Sequence, residues 1–296
     1  MKVNEIQPVF SVGGVDRMAH LRADILNNRN SETDKYVLIS QGNVLINKDG
    51  GCFFNTAELA DSLLNSPLCT FLGGDERGHY FALPVCVEEA EKYEIVPLRA
   101  LLIEDRLSKQ QFSLLAEANS MLSWHRSHGF CARCGSETSV SDAGWQRNCP
   151  SCEARHFPRT DPVVIMLVTK GDQCLLGRSP YFPDKQFSCL AGFMEPGETI
   201  EQAALRELYE EVGVVGENIR FLSNQPWPFP SNLMLGVHVE AKDMQLDIDH
   251  TEIEGARWVS KSDLNAVLAG DTSLDFILPP KIAIARSLLE YWVRVC

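Results

Sequence analysis

Hydrophobic and polar positions along the 296-residue chain follow both the two-residue period of strands and the longer period of helices. A Gln-Gly-Asn turn between two apolar runs predicts a β-hairpin near residue 42, and Gly73–Gly74 with Arg77–Gly78 punctuate a second strand pair that ends near residues 81–85. Apolar residues at helical spacing predict helices over 107–127 and 281–294. The other predicted strands cover residues 36–40, 44–47, 162–169, 173–177, 232–240 and 255–259. We therefore expect an α+β chain of at least two domains.

A further helix is predicted over residues 200–212 by its end signals. Pro196 and Gly197 indicate a turn, Thr199 with Gln202 fits a capping box, and Gly213 stands where a glycine commonly ends a helix. The apolar stripe of this helix consists of Ala204, Leu205, Leu208 and Val212.

This helix and the turn before it are strongly acidic, with Arg206 as their only cation. Glu207 and Glu211 are four residues apart and share one face. Two carboxylates about 4 Å apart repel by roughly 4 kcal/mol at an effective dielectric of 20, so a bound Mg²⁺ or Mn²⁺ explains the cluster better than a solvated acidic surface. The six carboxylates are Glu195, Glu198, Glu201, Glu207, Glu210 and Glu211.

Four cysteines form two Cys-x-x-Cys pairs separated by fourteen residues, at Cys131/Cys134 and Cys149/Cys152. This spacing is typical of a tetrahedral zinc site, although redox pairs or disulfides have the same local pattern. Four thiolates leave no open coordination position, which favours a structural zinc.

The composition limits the partners and the compartment. A net charge of −13 argues against general binding to a nucleic-acid backbone. The N-terminal residues lack the pattern of a signal peptide, and the apolar runs are too short to span a membrane. With ten cysteines in the chain, we expect a cytoplasmic protein with reduced thiols.

Three prolines in five residues predict a stiff, extended loop over 224–232. Such a loop presents Trp227 and Phe229 at low entropic cost, and aromatic rings of this kind stack on bases. Gln225 and Asn232 are suited to hydrogen bonding at its ends. Composition alone equally allows a packing loop or a polyproline ligand.

Residues 192–214 resemble the Nudix box, and residues 224–232 resemble the SQPWPFPxS array of the NADH pyrophosphatase branch of Nudix hydrolases, with Asn224 and Asn232 in place of the serines. Members of this branch carry a four-Cys ribbon ahead of the Nudix domain. The resemblance implies a Nudix α/β/α sandwich with a mixed sheet. The expected domains are an N-terminal α/β-type, NADH-pyrophosphatase-like domain over 1–125, a zinc ribbon over 126–157 and a Nudix domain over 158–296.

The resemblance also implies metal-dependent hydrolysis of the pyrophosphate bond of NAD(H), which gives AMP and nicotinamide mononucleotide. The same reaction on an NAD-capped RNA is decapping. Expected metal ligands are the Ala191 carbonyl and the carboxylates of Glu207, Glu211 and Glu252. Glu210 and Glu211 both remain candidates for the general base. The catalytic set comprises Glu198, Arg206, Glu207, Glu210 and Glu211.

Expected substrate contacts come from several parts of the chain, and the branch forms homodimers. Gly144 replaces an acidic residue that contacts substrate in relatives. The alternatives are a Nudix hydrolase of ADP-ribose or dinucleoside polyphosphates, and a non-catalytic nucleotide-sensing adaptor. The expected substrate-binding residues are Arg99, Phe157, Phe193, Gln225, Pro226, Trp227, Pro228, Phe229, Pro230, Ser231, Asn232 and Ala285.

Overall fold

A computed structural model describes residues 6–11, 14–29, 32–104 and 106–295. Within it the chain divides into two compact units. The C-terminal unit contains residues 1–11, 161–226 and 232–296, and the N-terminal unit contains residues 12–160 and 227–231. No helix of the described residues has both the length and the apolar character needed to cross a membrane.

The N-terminal unit contains a six-stranded sheet of order β4-β5-β1-β2-β6, with β3 beside β1, and a three-stranded ribbon of order β7-β8-β9. Its elements are β1 Lys35–Ser40, β2 Asn43–Ile46, β3 Phe54–Asn55, α1 Asp61–Leu64, β4 Thr70–Asp75, β5 Gly78–Pro84, α2 Val87–Ala90, β6 Glu94–Pro97, α3 Leu98–Ile103, α4 Lys109–Ser127, β7 Ser139–Ser141, β8 Gln146–Asn148 and β9 Arg155–His156.

The predicted first hairpin is confirmed, with a two-residue turn. Ser40 pairs with Asn43, so Gln41 and Gly42 form the turn, and both have positive φ. The predicted second strand pair forms as β4 and β5, with Gly73 and Gly74 inside β4. A Cβ at Gly73 would lie 2.2 Å from the Asp16 carbonyl oxygen, so this glycine permits the backbone of Asp16 to approach β4 closely.

The long predicted helix is confirmed as α4. Ser108 and Gln111 form a capping box at its first turn, and its apolar residues are buried in the N-terminal unit. The ribbon packs against the large sheet of the same unit, where the Trp145 indole Nε1 donates to the Phe71 carbonyl at 2.7 Å.

The C-terminal unit is built on a second six-stranded sheet of order β13-β14-β10-β11-β15, with β12 beside β10. The pairing of β10 with β14 is parallel, whereas β11 and β12 pair with β10 in the antiparallel direction, so the sheet is mixed. Its elements are β10 Asp161–Lys170, β11 Gln173–Arg178, β12 Leu190–Phe193, α5 Ile200–Val212, β13 Gly216–Trp227, β14 Asn232–Ala241, β15 Gly255–Ser260, α6 Lys261–Leu268 and α7 Ile284–Val295.

Side chains of β10 alternate between two hydrophobic cores, one on each face of this sheet. Val164, Met166 and Val168 share a core with α5, while Ile165 and Leu167 pack in the core that contains α6 and α7 residues. The predicted α/β/α sandwich is therefore confirmed.

Strand β13 corrects the prediction for the proline-rich stretch. Residues 224–227 are the end of this strand, not part of a loop. Because β13 lies at the edge of the sheet, Pro226 can be accommodated although it lacks an N–H. Several elements were not predicted, and α7 begins three residues later than expected. The unpredicted elements are the strands β3, β6, β12 and β13, the ribbon strands β7, β8 and β9, and the helices α1, α2, α3 and α6.

Candidate catalytic and metal-binding sites

The acidic helix forms as its end signals predict. The Thr199 hydroxyl accepts from the Gln202 N–H, and the Gln202 side chain accepts from the Thr199 N–H. Gly213 ends α5 with φ 71°, and its N–H donates to the Tyr209 carbonyl at 2.8 Å.

Two carboxylates of α5 and one from a following loop converge in the C-terminal unit. Glu207, Glu211 and Glu252 each place a carboxylate oxygen within 4.8 Å of the others. The loop is tied to the end of α5, since the Asp249 N–H donates to the Glu211 carbonyl at 3.0 Å and the Asp247 N–H donates to the Val212 carbonyl at 2.9 Å. Backbone contacts thus place Glu252 beside the helix, a relation that its distance in sequence does not reveal.

The cluster brings three acidic groups together, of which Glu207 is paired with Arg206. Glu211 is 7% exposed, and its Oε2 has no hydrogen-bond partner among the residues that the structure describes. Burial, followed by repulsion from Glu207 and Glu252, raises the pKa of Glu211 to about 8. Each ionised pair at about 4.8 Å repels by about 3 kcal/mol at an effective dielectric of 20. Oxygen ligands with this excess of charge fit a hard divalent cation such as Mg²⁺ or Mn²⁺.

Arg206 organises the remaining carboxylates of the predicted catalytic set. It binds Glu198 in a bidentate pair at 2.6 and 2.8 Å, and it donates to Glu207 at 2.8 Å and Glu210 at 3.0 Å. A further bond from Arg206 reaches the Phe193 carbonyl at 2.9 Å. Arg206 therefore holds three carboxylates.

Glu198 lies before α5 and folds back over the helix to reach Arg206. The Arg206 guanidinium, with help from the Glu195 N–H, lowers the pKa of Glu198 to about 2. Because both Glu198 oxygens are engaged in these bonds, Glu198 fixes the turn before α5 and the orientation of Arg206. Glu210 remains half-exposed, with 52% of its side-chain surface accessible.

Gly192 has a steric role that the sequence did not reveal. A Cβ on this residue would lie 1.9 Å from the Glu207 carboxylate carbon. Its neighbour Ala191, the predicted carbonyl ligand, lies in β12 and pairs with Ile165. The Glu207 carboxylate is thus packed directly against the backbone of β12.

The structure places Gln225, a predicted substrate-binding residue, in the interior of the C-terminal unit. It is completely buried, and its Nε2 donates to the carbonyls of Ile282 at 2.7 Å and Val9 at 2.9 Å. Its Oε1 accepts from the Ile284 N–H at 2.8 Å. Since the amide is fully used inside the C-terminal unit, Gln225 anchors the end of β13 to the start of α7.

Residues Trp227–Ser231, here called the proline segment, belong to the N-terminal unit. The Trp227 and Phe229 rings are half-buried and meet edge to face, with centroids 5.2 Å apart. Arg99 lies over Phe229 at 4.4 Å and over Trp227 at 5.9 Å. Pro228 is buried and Pro230 is exposed.

Phe157 and Phe193, two further predicted substrate-binding residues, are 61% and 59% exposed, so their rings are open to a ligand. Ala285, also predicted to bind substrate, is only 2% exposed in the first turn of α7, and its burial argues against that role. Asn232 and Pro226 flank the proline segment within β14 and β13. Asn232 pairs with Asp161 in the sheet.

The four ribbon cysteines converge as a metal site. Their sulfurs lie within 4.8 Å of one another, with Cys131 Sγ 3.6 Å from Cys152 Sγ and Cys134 Sγ 3.4 Å from Cys149 Sγ. A tetrahedron with Zn–S bonds of about 2.3 Å has edges of about 3.8 Å, whereas a disulfide measures about 2.05 Å. The arrangement fits zinc and not the disulfide alternative.

The ribbon site also has polar support that the cysteine spacing did not reveal. His156 Nε2 lies 3.3 Å from Cys131 Sγ. The Arg133 N–H donates to the same sulfur at 3.4 Å. Hydrogen bonds of this kind commonly orient and stabilise metal-binding thiolates.

Family models match three consecutive parts of the chain. A NADH pyrophosphatase-like rudimentary NUDIX domain matches residues 33–124, a NADH pyrophosphatase zinc ribbon domain matches residues 126–157, and a NUDIX domain matches residues 158–277.

Curated relatives match the chain to different extents. The NAD-capped RNA hydrolase NudC of Mycobacterium bovis (strain BCG / Pasteur 1173P2) is 35% identical over 96% of this chain and 94% of its own length. The human NAD-capped RNA hydrolase NUDT12 is 42% identical over an alignment that covers 67% of this chain and 45% of that longer protein. The mouse mitochondrial NAD(P)H pyrophosphatase NUDT13 is 38% identical over 72% of this chain and 63% of its own length.

The acidic cluster on α5, the four-cysteine ribbon ahead of it and the near full-length match to a bacterial relative agree with one another. The chain belongs to the NADH pyrophosphatase branch of the Nudix hydrolase family.

Proposed function

We propose that this chain hydrolyses the pyrophosphate bond of NADH and NAD, giving AMP and the corresponding nicotinamide mononucleotide, with Mg²⁺ or Mn²⁺ as cofactor. The observation that carries this proposal is the convergence of Glu207, Glu211 and Glu252 around a buried carboxylate oxygen that has no partner among the described residues. Relatives named as NAD-capped RNA hydrolase and NAD(P)H pyrophosphatase support the substrate class.

In the proposed mechanism, the carboxylates of Glu207, Glu211 and Glu252 would hold the divalent ion, and the Ala191 carbonyl would be a further ligand. When bound, the ion supplies positive charge that stabilises the negative charge developing on the phosphate oxygens. Arg206 keeps Glu207 in place through its 2.8 Å bond.

A water molecule attacks one phosphorus, the bridging P–O bond breaks, and a nearby carboxylate accepts the proton of the water. Glu210 and Glu211 are the two candidates for this proton transfer. Glu210 is half-exposed and held by Arg206 at 3.0 Å, while Glu211 is buried. Separate Glu→Gln variants, compared by their pH–rate profiles, distinguish the two residues.

Substrate recognition is assigned to exposed or partly exposed aromatic rings. Phe157 and Phe193 offer flat apolar surfaces for the bases, and Trp227 with Phe229 forms a preassembled pair. Arg99, which lies over that pair, supplies a cation suited to a phosphate or ribose contact.

The 5′ end of an NAD-capped RNA contains the same pyrophosphate bond, so we propose decapping as a second activity. The names of the bacterial and human relatives favour it. The net charge of −13 argues that RNA beyond the cap contributes little to affinity.

The deciding experiment compares NADH, NAD, NAD-capped RNA and ADP-ribose at equal concentration with Mg²⁺ or Mn²⁺, and it identifies the products by chromatography. We expect AMP from NADH, with loss of activity in EDTA. Rapid cleavage of ADP-ribose alone would overturn the substrate assignment. Absence of all cleavage would favour the nucleotide-sensing alternative.

We further propose that the chain acts as a homodimer in the cytosol, where its ribbon thiols stay reduced. Light scattering in solution measures the mass of the assembly. A monomeric mass at the concentration of the activity assay would contradict the homodimer.

A further inference from the structure

The proline segment is held by two helices of the N-terminal unit. Asn119 of α4 donates from Nδ2 to the Pro228 carbonyl at 2.7 Å, and the Ser120 hydroxyl donates to the Pro230 carbonyl at 2.8 Å. Between these two carbonyls lies Phe229, whose ring is covered by the Arg99 guanidinium of α3. Three successive residues of the segment are therefore fixed by side chains of α3 and α4.

The chemistry of the segment explains why side chains must hold it. Pro228 and Pro230 have no N–H, so they cannot donate to the ladder of a sheet or to a helix. The carbonyl of the buried Pro228 requires a donor because it is out of water, and Asn119 supplies it. Ser120, the next residue of the same helix, donates to the carbonyl of the exposed Pro230.

Asn119 itself is unusual for its place in α4. It is 7% exposed on a helix whose other buried residues are mostly apolar. A buried amide is costly unless it is hydrogen-bonded, and the Pro228 carbonyl satisfies it. The hairpin turn also lies close to this amide, since a Cβ added to Gly42 would lie 3.7 Å from Asn119 Oδ1.

We propose that Asn119, assisted by Ser120, is a positioning residue that sets the affinity for dinucleotides by fixing Trp227 and Phe229. This inference rests on the proposed function. It assigns a role to the N-terminal unit, whose helices α3 and α4 hold the proline segment.

The first test is kinetic and uses Asn119→Leu, which keeps the approximate volume of the side chain and removes the donor. We expect KM for NADH to rise about tenfold while kcat changes less than twofold, because the reacting groups on α5 are untouched. Ser120→Ala should raise KM about threefold. Ser113→Ala is the matched control, since the Ser113 hydroxyl donates within α4 to the Lys109 carbonyl.

The second test is a double-mutant cycle. If Asn119 acts through the aromatic pair, Asn119→Leu added to Phe229→Ala should raise KM by less than a further twofold. Full additivity of the two effects would overturn the proposal. Should Asn119→Leu fail to fold, the same cycle with Ser120→Ala decides the matter.

Hydrogen exchange measures the restraint without any activity. The amides of Trp227, Phe229 and Ser231 should exchange at least fivefold faster in Asn119→Leu, with α5 unchanged. If wild type hydrolyses NADH, but KM and amide exchange in Asn119→Leu equal the wild-type values, the positioning role is wrong and the proposed function stands. If wild type cleaves no dinucleotide, the proposed function fails, and exchange alone then supports or overturns the restraint.

Discussion

Gly192 and Glu207 are packed so closely that a Cβ on the glycine would lie 1.9 Å from the carboxylate carbon. Strand β12 and helix α5 thus meet at a point where only hydrogen fits. We predict that Gly192→Ala displaces Glu207 and lowers hydrolytic activity by at least about 100-fold, since a misplaced catalytic group can cost about that much. Manganese affinity should fall with it.

The matched control for Gly192→Ala is Gly255→Ala, because a Cβ at Gly255 meets nothing within 4 Å. Steady-state kinetics and a manganese titration on both variants check the prediction. Wild-type activity in Gly192→Ala would show that Glu207 can move without consequence.

Glu211 should limit stability when no metal is bound. Its carboxylate is buried at 7% exposure beside two other acids, and Gln has the same shape without the charge. We predict that Glu211→Gln stabilises the metal-free protein by about 3 kcal/mol at pH 7, because folding raises the pKa of Glu211 to about 8 and must therefore protonate a carboxyl that is ionised in the unfolded chain. Activity should fall by more than about 100-fold, as expected when a metal-binding carboxylate is lost.

Urea unfolding in EDTA and NADH hydrolysis in Mg²⁺ measure the two effects of Glu211→Gln. Glu91→Gln, at an exposed position outside the cluster, is the control and should change neither quantity appreciably. A destabilised Glu211→Gln protein would contradict the electrostatic account of the cluster.

His125 makes stability depend on pH. Burial, and then the charge of Arg147, lowers the pKa of His125 to about 4. Arg147 Nη1 lies 3.1 Å from His125 Nδ1, and Trp124 and Gly144 border the ring. The folded state therefore favours neutral His125. The contribution of neutral His125 to stability is complete above about pH 6.5, the pKa of histidine in the unfolded chain, and it is lost as the pH falls towards 4.

We predict that, between pH 7 and pH 4.5, the free energy of unfolding falls by up to about 3 kcal/mol more in wild type than in His125→Gln, as the shift in the pKa of His125 implies. Urea unfolding at both pH values measures the difference. His20→Gln, which replaces an exposed histidine, should follow wild type. Equal losses in wild type and His125→Gln would show that His125 does not titrate on unfolding.

The ribbon should depend on zinc for its folding. We predict one zinc per chain by elemental analysis, and we expect Cys149→Ser to lower Tm by more than about 10 °C because structural zinc contributes folding free energy directly. Cys86→Ser is the control for loss of a thiol, because Cys86 is an exposed cysteine outside the ribbon. An unchanged Tm in Cys149→Ser would indicate that packing alone holds the ribbon.

Elements with local signals were predictable from the sequence. The ends of α5 depend on Thr199, Gln202 and Gly213, which act on neighbouring backbone groups. The four ribbon cysteines were predictable for the same reason, because knuckle spacing fixes their geometry locally.

Relations that depend on tertiary packing were not predictable in this way. Gln225 was predicted to bind substrate because a polar residue beside prolines suggests a loop, whereas its place in edge strand β13 lets it bond to Ile282 and Ile284. Nothing near Asn119 in sequence indicates that its amide meets a carbonyl more than a hundred residues away. The place of Glu252 beside α5 likewise came from family resemblance and not from its own surroundings.

Gly144 constrains how this protein can be recombined with its relatives. Its φ is +95°, and a Cβ there would lie 2.6 Å from the Thr70 hydroxyl in β4. A ribbon transplanted from a homologue with an acidic residue at this position would collide with the first residue of β4. Chimeras that exchange the ribbon alone should therefore misassemble, and those that exchange residues 33–157 as one block should fold.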